Sequence, residues 1–252
     1  MFVRFWLALL ALLMLTGARD PILVPDVSQH DVEIRHDFNG TSLLLFGAIL
    51  SPDGTRAGQD YDIVVVLEGP ARPIVLRQKS RVAGVWINAD SAIFRSVPSF
   101  YAVASSRPLK DIVDERTADI YELGLDALQL SPSDSIDPAA QERFSTGLVD
   151  LMKRGGLYSQ NQHAVTVTGQ VLYQAHIYLP SSVQTGSYTA ETFAISHGRV
   201  VASAISRVEV RKLGLDLAIA DFAQHSAFLY GLLAVTISVA MGWVAGRFFA
   251  LT

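Results

Sequence analysis

The sequence predicts a mainly β protein, with one or more exported immunoglobulin-like β-sandwich regions, a helical insert and a single C-terminal transmembrane helix. Three observations carry that reading. Apolar and polar residues alternate with a period of two in several stretches, a middle segment switches to helical spacing, and nineteen uncharged residues run from Ala227 to Ala245. Composition agrees. Of 252 residues, 50% are hydrophobic and 17% charged, too apolar for a disordered chain. Twenty Lys and Arg against twenty-four Asp and Glu give a net charge of −4, so the chain has no excess positive field to hold nucleic acid, and none is expected as a partner. With no cysteine, disulfides, thiol nucleophiles and cysteine-ligated metal centres are excluded.

Taken in order, the chain opens as MFVRFWLALLALLMLTGARD, with Arg4, an apolar run from Phe5 to Leu15, and small residues at Thr16 and Ala18. This layout predicts a secretory leader cleaved after Ala18. An uncleaved anchor is the alternative, disfavoured because eleven apolar residues at ~1.5 Å each cover only about half of a ~30 Å hydrocarbon layer. From Val24 to Phe38 the apolar Val24, Val32, Ile34 and Phe38 share one parity opposite a polar set, which predicts a half-buried strand. Asn39-Gly40 then predicts a tight hairpin turn, with Ser42–Leu50 as the returning strand. Tyr61–Leu67, Pro73–Gln78, Ala83–Asn88 and Phe100–Ser105 read as further short strands.

Helical spacing is expected over Asp111–Leu128. A second helix is marked by Asp137 as N-cap, Pro138 at its first position and Gly155-Gly156 as terminator. Phe144, Leu148, Leu151 and Met152 form its apolar stripe. Strand alternation returns at Val165, Val167, Val171, Tyr173, Ala175, Ile177 and Leu179, followed by strands at Tyr188–Ser196 and Val200–Lys212. These read as three consecutive antiparallel strands.

The expected division is a signal peptide over 1–18, a β-rich domain over 19–110, a helical insert over 111–156, an antiparallel β region over 157–212, a juxtamembrane segment over 213–226, a transmembrane helix over 227–246 and a cytoplasmic tail over 247–252. Tyr230 near one end of the span, with Trp243, Phe248 and Phe249 near the other, fits aromatic enrichment at the two membrane interfaces. Arg207, Arg211 and Lys212 precede the span and Arg247 follows it, against the usual charge bias. A translocated domain of this size is largely indifferent to that bias, so the N-terminal bulk is expected outside. Ala234, Ser238, Gly242 and Gly246 recur every fourth residue, a row along which another helix could approach closely, or which lipid covers.

Reaction motifs are missing from the sequence. There is no Gly-x-Ser-x-Gly, His-Glu-x-x-His, Gly-Lys-Ser/Thr or dinucleotide fingerprint. His30, His36, His163, His176, His197 and His225 lack metal-ligating spacing. Asp111, Asp114 and Glu115 read as the acidic first turn of a helix rather than a cation site. Ser105, Ser106 and Arg107 are weak candidates for a small-anion site, with a solvated loop as the plainer reading. No catalytic residue, metal or cofactor is implied.

The segments LVPDVSQHDVEIRHDFNGTSLLLFGAI, YDIVVVLEGP, VWIN, SFYAVASSRPL, LPSSVQTGSYTAETF and FAQHSAFLYGLLAV resemble, in order and over most of the chain, a family of predicted transmembrane proteins of alphaproteobacteria. That resemblance implies a gram-negative inner membrane with a periplasmic ectodomain, and it lends no catalytic residues. It also implies an accessory role beside permeases of the sulfite-exporter type. The expectation is therefore a noncatalytic, membrane-anchored periplasmic accessory or scaffold protein of an inner-membrane transporter or complex. A periplasmic small-anion or metal binder is the alternative, and a hydrolase with a dispersed active site the remote one.

Overall fold

A computed structural model describes residues 20–34, 39–50, 61–133, 136–212 and 222–249. Among the described residues there are twelve strands: β1 (Ile22–Val27), β2 (Asp31–Ile34), β3 (Thr41–Leu50), β4 (Asp62–Glu68), β5 (Ala71–Val82), β6 (Val85–Pro98), β7 (Tyr101–Ser105), β8 (Tyr158–Asn161), β9 (Val165–Thr168), β10 (Leu172–Leu179), β11 (Gly186–Ser196) and β12 (Arg199–Lys212). Helices among the described residues include α1 (Leu109–Ile112), α2 (Glu115–Ile120), α3 (Pro138–Arg154) and α4 (Ala227–Phe249). The chain forms two compact units: Val32 and the residues before it join 39–210 in one, and the C-terminal segment from Arg211, with 33–38, makes the other.

The first unit is a sandwich of two sheets, with strand orders β1-β3-β10-β9 and β2-β12-β11-β4-β7-β8. Strands from before and after the helical insert interleave, since β3 pairs β10 and β4 pairs β11. The expected N- and C-terminal β regions therefore share one body. The pairs β1–β3, β3–β10, β9–β10, β11–β12, β4–β11 and β4–β7 are antiparallel, and β7 runs parallel to β8.

Burial explains the layering. In β10 the side chains of Tyr173, Ala175, Ile177 and Leu179 are buried while their neighbours are exposed, so its sheet has one wet face. In β4 and β7 both parities are buried, because that sheet is covered on both sides. On one side β4 and β7 meet β9 and β10. On the other, Val64, Val66, Tyr101, Val103, Phe193 and Ile195 join a core with Leu109, Ile112, Leu123, Phe144, Leu148 and Met152 of the insert. Tyr173 of the first sheet places its hydroxyl 3.3 Å from Thr192 Oγ1 of the second, pinning the interior.

Several expectations are corrected at this level. The stretch read as one strand from Val24 is two: it breaks after Val27, and β1 and β2 enter different sheets. Leu23 and Val27 face the core, whereas Val24 is half exposed. The remainder of that stretch, with Phe38, lies outside the described residues. Asn39-Gly40 does not join paired strands, because β3 runs back to β1, with Val27 opposite Leu45. Gly40 has φ +107°, and a Cβ there would collide with the Tyr178 ring, so the glycine is required by close approach as well as by conformation. The alternating run from Val165 is a hairpin, turning at Gly169-Gln170 with φ of +62° and +59°. The turn returns the chain in phase, which keeps the parity unbroken through the reversal. After β10 the chain changes sheet, so β10, β11 and β12 are not three neighbours.

In the insert, the helix expected over Asp111–Leu128 is interrupted. Val113 is extended (φ −133°, ψ 153°) and bridges Gly198 in parallel, so α1 ends and α2 restarts on Asp114, whose side chain accepts from Thr117 N. Helix α3 matches its sequence signals, with Asp137 capping Ala139 N, Pro138 in the first turn and Gly155 closing the end. Phe144, Leu148 and Met152 are buried, but Leu151 is exposed and lies off the stripe.

Strands β5 and β6 form one long two-stranded hairpin where shorter separate strands were expected. Its proximal half packs on the insert through Ile74, Leu76, Ala92 and Phe94. Every residue from Arg81 to Ser91 is exposed, so the distal half stands clear of the sandwich. Ala83 (φ 50°) and Gly84 (φ 86°) make the turn, and both positive values match the strand twist.

Candidate functional site

Four places could carry function, and each is built differently. The first is α4, twenty-three residues that at ~1.5 Å per residue reach about 34 Å, more than a ~30 Å hydrocarbon layer. Within Ala227–Arg247 an eighteen-residue stretch reaches a mean hydropathy of 1.9, and the apolar side chains, including Phe228, Leu232, Val235, Ile237, Val239 and Met241, are exposed. A helix apolar around its circumference and uncovered is suited to lipid. Ser238 Oγ donates to Ala234 O at 2.8 Å and Thr236 Oγ1 to Leu232 O at 2.7 Å, so both hydroxyls are satisfied within the helix. The row of Ala234, Ser238, Gly242 and Gly246 lies on this helix, and a Cβ added at Gly242 or Gly246 would meet nothing within 4 Å. At the start of the helix, Tyr230 packs edge-on against Phe222, with ring centroids 6.3 Å apart. Trp243 is exposed at the far end, while the side chains of Phe248 and Phe249 lie outside the described set.

The second place is the loop after β7. Ser105 is buried, and its hydroxyl has no protein partner. Ser106 Oγ accepts from Ile63 N and donates to Asp62 Oδ1, each at 3.1 Å. Arg107 clamps the same carboxylate with two donors, Nε on Oδ1 at 2.8 Å and Nη2 on Oδ2. The Arg107 hydrogen bond, helped by Ser106 and opposed by partial burial, holds Asp62 below its ordinary value of 3.8. A small anion would have to displace that carboxylate. Sequence inspection missed Asp62 because it sits forty-five positions from Arg107 and meets it only through β4–β7 pairing.

A stability consequence follows. A carboxyl with a lowered folded value contributes stability above its unfolded value and loses it as pH falls through the folded one. Asp62→Asn is therefore expected to cost on the order of 1 kcal/mol at neutral pH, since Arg107 is half exposed and solvent screens the pair. Thermal melts of both proteins from pH 7 downward should converge below about pH 4. A constant gap across that range would count against the ion pair as the source.

The third place is a cleft of about 520 Å³ between the short helices and β8, floored by Leu109, Val113, Ala118 and Leu123 and rimmed by Lys110, Glu115, Asp119 and Asp126. Gln160 on its wall is committed, its Oε1 accepting from Leu125 N at 3.0 Å. Asp114 is spent as a helix cap, which holds its carboxyl low, and Asp111 sits in the first turn of α1. Among the described residues no three His, Asp or Glu side chains gather in a group that could hold a metal ion. His30 lies 3.3 Å from Asp26, His197 Nδ1 lies 2.9 Å from Ser196 Oγ, and His36 falls outside the described set.

The fourth place is the hairpin tip, where Ala83–Asn88 was expected as a short strand of its own. Val82, Val85, Trp86 and Ile87 are all exposed there. The available signal was an Ala-Gly pair flanked by valines inside an alternating basic strand.

Over residues 22–250 the chain matches the family model described as "Putative transmembrane protein (Alph_Pro_TM)". No curated protein matches it. The matched span takes in both sheets, the insert and the apolar helix, in agreement with the resemblance read from the sequence. The chain thus belongs to the alphaproteobacterial Alph_Pro_TM family of transmembrane proteins, and it is a membrane protein with one C-terminal helix long and apolar enough to cross.

Proposed function

We propose that this chain is a noncatalytic accessory or scaffold subunit of an inner-membrane transporter or complex. Its leader is removed, its β-sandwich lies in the periplasm and its C-terminus in the cytoplasm. The observation that carries the reading is the row of small residues at every fourth position, Ala234, Ser238, Gly242 and Gly246, on the membrane helix. Such a row lets a second helix backbone approach closely, and in lipid close packing replaces the hydrophobic drive that operates in water. A permease helix is the partner this arrangement suits. The sandwich then serves as the exposed part of the assembly.

Replacing Gly242 and Gly246 together by leucine fills the groove without adding charge or polarity. Solubilised native membranes of that variant, crosslinked before extraction, are expected to lose the high-mass species that the unaltered chain forms. Insertion into the membrane should be unaffected. An unchanged complex size would overturn helix-mediated assembly, and protease access to a tag at Thr252 on intact spheroplasts would overturn the orientation.

A further inference from the structure

We propose that the tip of the β5–β6 hairpin is a second membrane contact, its apolar end entering the headgroup zone and its cations holding the phosphates of anionic lipids. Charge is the first ground. Between Ala71 and Pro98 the chain carries Arg72, Arg77, Lys79, Arg81 and Arg95 against Asp90 alone, a surplus of four positive charges in a protein of net −4. The single carboxylate is drawn toward Arg143 of α3, 3.5 Å away. The projecting element is therefore electrostatically opposite to the rest of the chain, and it complements an anionic surface.

Register is the second ground. Val82 lies opposite Val85, Arg81 opposite Trp86 and Ser80 opposite Ile87, so the last three rungs gather four large apolar side chains around the turn. Behind them Arg81, Lys79 and Arg77 recur every second residue on one face, stepping back about 7 Å at a time. The headgroup layer is roughly 5–8 Å deep on each side of the hydrocarbon. Apolar groups at the end, a tryptophan beside them and cations within one or two steps behind match that layer in order. Depth is limited by the backbone, since a two-stranded hairpin has outward N–H and C=O groups that hydrocarbon would leave unpaired. Arg81 Nε already satisfies the turn carbonyl of Gly84 at 3.2 Å. The chain is tethered to a bilayer by its own helix, so a tip within the tether's reach meets lipid without an encounter from solution.

The absence of cysteine makes a clean test available. The full chain bearing Ala83→Cys, labelled with the fluorophore NBD, is reconstituted into vesicles of phosphatidylcholine alone or mixed with phosphatidylglycerol. Ser96→Cys, at the exposed base of the hairpin, supplies the reference label. In the anionic vesicles, emission from position 83 should shift to the blue and be quenched by headgroup-level nitroxide lipids, while position 96 stays water-like. Quenching should fade in 1 M salt, where the Debye length is about 3 Å, and disappear on charge reversal at Arg77, Lys79 and Arg81 or on Trp86→Ser with Ile87→Ser. Water-like, unquenched emission from position 83 in both lipid mixtures would overturn the proposal. So would shielding that arises only where two chains crosslink through position 83. Flotation of the vesicles reports helix insertion separately, and neither result bears on whether a permease partner exists.

Discussion

Replacing Phe94 by alanine is expected to destabilise the β-sandwich unit by about 3–5 kcal/mol, the cost of deleting a fully buried aromatic ring from a core that cannot close over the gap. For a unit of this size the melting temperature should fall by roughly 10 °C. Phe94 is completely buried at the point where three elements meet. It stands opposite Ile74 in the hairpin, it bridges Pro132 of the loop before α3, and it shares a core with Leu123, Phe144 and Leu148. The neighbouring Ile93 carbonyl accepts from Ser133 N at 2.6 Å, so the loop is stitched to the hairpin by backbone as well. The cavity therefore opens beneath a fixed frame, which favours the upper end of the range. Phe94→Leu, which keeps most of the volume, should cost less than half as much. Thermal melts of the full chain in detergent check both. Ile93→Ala, one residue along but on the exposed face, serves as the control and should change little. Equal losses at positions 93 and 94 would mean that the hairpin base is not packed as described.

Local periodicity made some of this architecture legible and hid the rest for physical reasons. Alternation at Tyr173, Ala175, Ile177 and Leu179 identifies a strand with one wet face, because burial there follows the pleat. The Asp137-Pro138 start and the Gly155 end of α3 are equally readable, since capping is chemistry between near neighbours. What escapes is whatever long-range pairing decides. Val113 leaves helical geometry to meet Gly198, and nothing near it in the chain announces that. Val24 and Val32 share a parity, but each strand's buried face is set by the sheet it joins, and β1 and β2 join different ones. The distal hairpin shows apolar residues on both faces because it packs on neither sheet, so no inside-outside pattern exists to read. At the loop after β7, Ser106 and Arg107 are visible as letters, whereas the carboxylate that occupies them arrives from β4. The membrane helix needed no partner to be recognised, as length and apolarity alone define it.

Arginine at both Ile237 and Met241 is expected to abolish membrane anchoring by α4. Both positions lie near the middle of the helix, too far from either end for the side chain to reach water easily. On the insertion scale a central arginine costs about 2.5–3.5 kcal/mol, while each Leu, Ile, Phe or Val returns about 0.3–0.6. Between Ala227 and Arg247 there are eight such residues, Phe228, Leu229, Leu232, Leu233, Val235, Ile237, Val239 and Val244, worth about 2–5 kcal/mol together. One arginine brings that sum close to zero. Two exceed it by several kcal/mol, so the helix should leave the bilayer almost completely. Arginine at Phe228 costs far less, since at the first turn its charge reaches the interface. The measurement is carbonate extraction of membranes from cells in which residues 1–18 are exchanged for a leader known to be cleaved, leaving α4 as the long apolar segment. The double variant should move to the supernatant while the Phe228→Arg chain stays in the pellet. Retention of the double variant would mean that something other than this helix holds the protein to the membrane.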